Sequence, residues 1–337
     1  MFKSRLVIPI LISTLLFGLL LTACAKAPQG TSPDTTESAA ATEASPGEMV
    51  TLRMALLPIL DNLPMYVAQQ EGLFEKNNVK VEFIPVGSAA ERDQIIVAGQ
   101  ADGMINETIS TLLYNKDQPQ VQIVRFARTA TPSAAQYSIL ASSNSGIKSP
   151  QDLRDVEIGI SEGTIIEYIT DRLLEAEGLT VGDYKTIAVP KIADRMALLS
   201  SGELKAATLP DPLSLLAIQQ GAVVAVDDSK HPEYGYSTYA FLLPVLEKHP
   251  EAIRGFLAAI EEAAQKINAD PTKWDSLLAE QKLVPEPLIG SYKMPPFPAA
   301  SVPSQAQWDD ALAWAKEKGL VTKDVSYTDS VNPDFLP

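Results

Sequence analysis

The chain has 337 residues, 46% of them hydrophobic, and a formal net charge of −15 from 27 Lys and Arg against 42 Asp and Glu. That length suits one large or two medium domains, and the acidic balance disfavours nucleic acid and anionic lipid surfaces as partners. A single cysteine excludes an intrachain disulfide, so nothing in the fold depends on an oxidising compartment.

The first residues, Lys3 and Arg5, precede an uncharged apolar run from Leu6 to Leu21 and the small-residue sequence Leu21-Thr22-Ala23-Cys24. A basic start, an apolar core short for a bilayer and a cut site make residues 1–23 an export signal. The Leu-Thr-Ala-Cys sequence resembles the bacterial lipobox. The resemblance implies that Cys24 becomes the first mature residue and is acylated, and two or more acyl chains anchor a protein stably. The protein is therefore expected to be lipid-anchored on the extracytoplasmic face of the cell membrane without spanning it. Loss of Lys3 and Arg5 leaves 25 basic against 42 acidic residues, a net charge of −17. Residues 24–48 are rich in Pro, Ser, Thr, Ala and Gly and lack any aromatic or large aliphatic side chain. Such a stretch cannot bury enough apolar area to order itself and reads as a disordered tether.

The body begins with an apolar run, Leu52 to Leu57, that stops at Pro58 and gives way through Asp61 and Asn62 to a helical pattern closed by Gly72. This is the signature of strand, turn and capped helix. A second cycle follows: Val81 to Val86 alternates as a strand, Gly87-Ser88 turns, and Ala89 to Ala98 carries apolar residues at helical spacing up to Gly99. Ala90-Glu91-Arg92 then finds a copy in Ala193-Asp194-Arg195, and Gly99-Gln100 in Gly202-Glu203, 103 residues further on. A period this long is too great for a solenoid and implies a duplicated lobe.

Tyr137 to Ala141 reads as a strand crossing out of the first lobe. The second lobe runs through Ile158, a helix from Thr164 to Ala176, the copied unit and Val223 to Val226, and Ser237 to Leu243 crosses back. The expected division is lobe 1 over 49–137, an inserted lobe 2 over 138–237, and a return to lobe 1 over 238–337. That last part holds helices at Pro250 to Ala269 and Gln305 to Lys318 around a Pro-rich stretch, and is expected to pack on the first lobe. The fold class is α/β, two similar lobes joined by two crossing segments.

In open α/β sheets ligands bind beyond the carboxyl ends of the strands, where helix N-termini present free backbone N–H groups. The loops so placed carry Asp61, Asn62, Asn106, Thr108, Ser161, Gly163, Thr164 and Asp211, the last held between two prolines. Helix capping alone explains Ser, Thr, Asp and Asn at such places, so the group points to a cleft more firmly than any member does. Tyr66, Tyr168 and Tyr236 lie near these loops, and Tyr168 and Tyr236 are the preferred stacking faces for a planar ligand. No Walker loop, dinucleotide fingerprint or nucleophile elbow is present, and His231 and His249 share no spacing with a second metal ligand. Neither a catalytic group, nor a metal site, nor a cofactor is expected.

Leu63-Pro64-Met65-Tyr66-Val67-Ala68-Gln69-Gln70-Glu71-Gly72-Leu73-Phe74, Val81-Glu82-Phe83 and Ala98-Gly99-Gln100-Ala101-Asp102 resemble the opening of periplasmic substrate-binding proteins of the sulfonate, nitrate and thiamine-pyrimidine type. Gly202-Glu203 and Pro210-Asp211-Pro212 are similar to that family's second lobe. The resemblance covers Leu52 to about Ala269 and leaves the Pro-rich stretch unmatched. It implies a type II periplasmic binding protein, monomeric, that closes on a small molecule and delivers it to an ABC permease. Family members bind alkanesulfonates, nitrate, hydroxymethyl- or formylamino-pyrimidine precursors of thiamine, or riboflavin. The tyrosines and the acidic charge favour a neutral heteroaromatic, with riboflavin the first choice. Eukaryotic pyrimidine synthases share the fold, but their cysteine-rich motif is missing here and the export signal speaks against an enzyme. An adhesive lipoprotein is the remaining reading, and it predicts no ligand-dependent stabilisation.

Overall fold

A computed structural model describes residues 49–337. The expected export signal, Cys24 and the expected tether lie outside the described residues, among which no helix is long and apolar enough to cross a membrane. The elements run β1 (Val50–Leu56), α1 (Leu63–Gln70), α2 (Leu73–Lys76), β2 (Val79–Pro85), α3 (Ala89–Val97), β3 (Gly103–Asn106), α4 (Thr108–Asn115), β4 (Val121–Thr129), β5 (Tyr137–Ala141), β6 (Glu157–Ile160), α5 (Ile165–Ala176), β7 (Lys185–Ala188), α6 (Ile192–Ser201), β8 (Ala206–Pro210), α7 (Leu213–Gln219) and β9 (Val223–Asp227). They end with β10 (Tyr236–Leu242), α8 (Leu243–Lys248), α9 (Pro250–Ala269), α10 (Asp275–Glu280), α11 (Gln305–Glu317) and α12 (Tyr327–Ser330).

Two five-stranded sheets form, in the orders β2-β1-β3-β10-β4 and β7-β6-β8-β5-β9. Each has one antiparallel strand in the fourth place, β10 or β5, supplied by a chain crossing from the other sheet. The two orders are copies of one another, the architecture expected of a duplicated lobe. At the 103-residue offset α3 falls on α6 and β3 on β8. The repeated arginine has the same task in both copies. Arg92 donates to the Ile105 carbonyl at 3.2 Å and Arg195 to the Thr208 carbonyl at 2.8 Å, each strutting a helix against the end of its central strand.

Strands covered on both faces need continuous apolar runs, and Met54, Ala55 and Leu56 of β1 are buried accordingly. Gly103 lets β3 fit beside its neighbours: a Cβ there would stand 2.5 Å from the Phe241 ring and 2.8 Å from Met54 sulfur. The chain changes sheet slightly earlier than the expected borders, since Tyr137 already belongs to the second sheet and Tyr236 and Ser237 to the first.

The C-terminal part corrects a second expectation. Instead of packing on the first lobe alone, α11 lies against both. Trp308, Ala311 and Trp314 share one apolar core with Ile109 and Leu112 of α4 and with Ile165 and Ile169 of α5. Trp314 Nε1 donates to Asp171 at 2.8 Å and Arg172 pairs with Asp310 at 3.0 Å, while Val331 bridges to Ile123 at the edge of the first sheet. Its polar partners on α5 outweigh the amphipathic pattern that sequence alone could weigh.

Candidate functional site

The carboxyl ends of both sheets converge on a cavity of about 80 Å³. Lobe 1 contributes Ile59, Asp61, Arg92, Asn106 and Glu107; lobe 2 contributes Ser161, Thr164, Ile166 and Asp211; the crossing strands add Gln136, Tyr137 and Ser237. Five of the expected site residues, Asp61, Asn106, Ser161, Thr164 and Asp211, therefore meet here.

Six do not. Asn62 is buried with its amide on the Leu57 carbonyl. Thr108 and Tyr236 are hydrogen-bonded to each other at 2.8 Å behind the cavity wall, and Gly163 forms the left-handed turn before α5, at φ +67°. Tyr66 stands edge-on to Phe83 with centroids 5.0 Å apart. The stacking role expected of Tyr168 and Tyr236 is corrected: Tyr168 packs edge-on to Trp314 with its hydroxyl on Asp310, and Tyr236 packs against Phe126. Sequence proximity to a cleft loop could not show that these rings turn into helix and sheet contacts. Among the described residues the one aromatic lining the cavity is Tyr137, which opens β5.

Three of the helix N-termini that would attract a small anion are occupied by the protein's own carboxylates, whereas α6, which starts at Ile192 on the cavity wall, has no side-chain cap. Glu91 of α3 accepts from Gly87 N–H at 2.7 Å, Glu107 caps α4 through Ser110 N–H at 3.0 Å, and Glu167 of α5 accepts from Gly163 N–H at 2.8 Å. Two of the arginines at the cleft are engaged as well. Arg92 spends its guanidinium on Asp93, the Ile105 carbonyl and Ser110. Arg128 stands across the lobes, 2.7 Å from Asp211 and 3.7 Å from Asp61. Burial works against its charge, but Asp211, Tyr292 and Asp61 together hold it protonated.

The acidic groups are correspondingly perturbed. Burial pushes Glu107 up to about 7, with Arg92 and the Ser110 N–H opposing. Burial also raises Asp61 above the usual carboxylate range, against the pull of Arg128 and Ser237. Asp211 was expected to aim its carboxylate at a ligand; it lines the cavity, yet its Oδ2 is held by Arg128 and by the Tyr292 hydroxyl from the Pro-rich stretch.

Gln136 was missed by sequence reasoning, as were Glu107, Tyr137 and Ser237. Gln136 Nε2 donates to Asp61 at 3.3 Å, but its Oε1 is buried without a partner on the cavity wall. No motif marks these residues, because they meet only where the two crossings pass. One link was legible in part, since Glu107 lies between Asn106 and Thr108 in a loop the strand pattern had already singled out. Behind Ser161, Arg195 is buried with no carboxylate partner among the described residues, which brings it down to about 10; its Nη1 donates to Ser161 at 2.9 Å.

The two crossings, residues 130–136 and 228–235, are tied together. Ala130 N–H donates to the Gly235 carbonyl at 2.8 Å. The Asp228 carboxylate accepts from the Gln136 and Tyr137 N–H groups at 2.8 and 3.2 Å. Gly235 is required there, because a Cβ would fall 1.8 Å from Asp228 Oδ2.

Compared with known proteins, residues 60–274 match the family described as NMT1/THI5 like. The chain is 30% identical over 162 residues to an Escherichia coli strain K12 protein named "Putative aliphatic sulfonates-binding protein", 48% of this chain and 50% of that one, so it spans about half that relative's length. It is 25% identical over 264 residues, 77% of each chain, to the "Putative thiamine biosynthesis protein" of Haemophilus influenzae. A third relative, the 4-amino-5-hydroxymethyl-2-methylpyrimidine phosphate synthase of Legionella pneumophila, is 20% identical over 81% of this chain and 88% of its own. Among solved structures, the periplasmic aliphatic sulphonate binding protein SsuA of Escherichia coli superposes with a TM-score of 0.71 at 23% identity, covering 84% of this chain and 92% of that one, a likeness of fold.

Proposed function

The chain belongs to the NMT1/THI5-like family, and from that premise we propose that it is the solute-binding component of an ABC importer that captures a single-ring, amine-bearing heteroaromatic of the aminopyrimidine class. On this reading Cys24 carries the lipid anchor, the protein acts as a monomer on the extracytoplasmic face, and a permease receives the ligand. The lobes close about residues 130–136 and 228–235 as the ligand adds contacts that neither lobe has alone.

The observation that carries the choice of ligand is the buried, unpartnered Gln136 Oε1 beside Asp61 and Glu107 in the inter-lobe cavity. A buried acceptor without a donor costs about 1–3 kcal/mol, and a ligand N–H relieves that cost. A carboxyl poised near 7, as Glu107 is, can accept from an exocyclic amine or lend its proton to a basic ring nitrogen. The Haemophilus relative named for thiamine biosynthesis supports the same class.

Riboflavin loses its support with the tyrosines, because Tyr66, Tyr168 and Tyr236 are absent from the cavity wall. A sulfonate or nitrate has Arg195 behind Ser161, the uncapped start of α6 and the Escherichia coli relative in its favour, but the N-termini of α3, α4 and α5 hold carboxylates instead. The Legionella relative's name keeps a synthase in view, though the cysteine-rich motif of the pyrimidine synthases is missing from this sequence.

A thermal-shift screen tests the reading. At a hundredfold excess over Kd a ligand stabilises its protein by about 2.7 kcal/mol. Hydroxymethyl- or formylamino-pyrimidine is expected to raise the melting temperature, while riboflavin, taurine and nitrate leave it unchanged. A shift with taurine or nitrate alone would replace the aminopyrimidine by an anion, and a panel without any shift would favour the adhesive reading.

A further inference from the structure

A second and far larger cavity, about 630 Å³, opens on the outer side of the same inter-lobe seam. It shares Ile59, Pro210 and Asp211 with the inner cavity of about 80 Å³, so the two cavities adjoin across these residues. Three separate stretches build it: Pro58 and Ile59 after β1, Pro210 to Leu213 after β8, and the chain from Ala279 to Ile289. Leu213, Val284 and Ile289 give it apolar walls, with Lys282 and Glu286 among the polar residues lining it. The third wall lies beyond residue 274, where the match to the family ends.

We propose that this groove holds an apolar extension of the ligand whose amine-bearing ring sits in the inner cavity. The ligand is then an aminopyrimidine with an aliphatic substituent rather than the bare ring, an inference that rests on the reading of the inner site given above. The small inner cavity admits the polar head. Asp211, fixed by Arg128 and Tyr292, is the polar residue common to the two linings, and Ile59 and Pro210 are the apolar ones beside it. An aliphatic chain leaving the head along these two residues exchanges water for Leu213 and Ile289, and burial of each methylene favours binding.

The test compares two probes by titration calorimetry, 4-amino-5-hydroxymethyl-2-methylpyrimidine and its butyl ether, on the wild-type protein and on Leu213→Gln and Ile289→Gln. The ether is expected to bind about tenfold or more tightly than the parent, and each substitution to remove that gain while leaving the parent's Kd within about twofold. The inference is overturned if the ether binds no more tightly than the parent, or if its advantage survives both substitutions. Should the ether alone bind, and lose affinity in both variants, the groove stands and the assignment of the head fails. Should neither probe bind, both readings fall.

Discussion

At the scale of single residues, two buried polar groups decide most of the behaviour expected of the cleft. Gln136 holds an acceptor that nothing among the described residues satisfies, so Gln136→Leu is expected to weaken aminopyrimidine binding about tenfold while leaving the melting temperature level or higher. Unaltered affinity in calorimetry would take Gln136 out of the site. Asp228 is fully buried between the crossings, and burial pushes it up to about 7, with Asp227 opposing its ionisation and the backbone N–H groups and Arg128 favouring it. Its folded value lies above the ordinary 3.8, so the folded chain binds this proton more tightly than the unfolded chain. The stability it contributes is complete below the ordinary carboxylate value and is lost as pH rises through about 7. Relative to Asp228→Asn, the wild-type protein should lose stability between about pH 4 and pH 7, by at most about 1.4 kcal/mol per pH unit. Urea denaturation across that range reads the difference, and a constant offset between the two proteins would contradict it.

At the scale of elements, the apolar patterns fixed where strands and helices lie, because burial of a face imposes its period on the sequence. The strand at Tyr137 to Ala141, the helix from Pro250 to Ala269 and the copied Arg92 and Arg195 were all legible in this way. Partners that depend on a polar group at long range were not. The contacts that draw α11 onto α5 join Trp314 to Asp171 and Asp310 to Tyr168 and Arg172, residues more than a hundred positions apart and without periodicity. Trp314→Phe removes the indole N–H from Asp171, a hydrogen bond to a charged group, and should cost about 1.5–3 kcal/mol in chemical denaturation. Loss below a few tenths of a kcal/mol would mean that Tyr184 and Lys318, which also hold Asp171, carry the junction without it.

At the scale of the whole molecule, two sheets of one topology face each other through their strand ends, and two crossings are stitched by Asp228. The duplication was readable because it repeats residues at a constant offset; the chemistry of the cleft was not, because its wall is assembled from Asp61, Glu107, Gln136, Asp211 and Ser237, each on a different segment. Composition misled at this scale too: a supply of tyrosines suggested stacking, whereas burial drew those rings into the packing between elements. The overall acidity, by contrast, agrees with the N-termini of α3, α4 and α5, where carboxylates occupy places an anion would take. A co-crystal structure with 4-amino-5-hydroxymethyl-2-methylpyrimidine tests the account most directly. It should show the ring between the lobes, its amine donating to Gln136 Oε1 and its edge against Asp61 or Glu107. A ring bound outside the inter-lobe cavity, or one presenting only acceptors to those three residues, would contradict it.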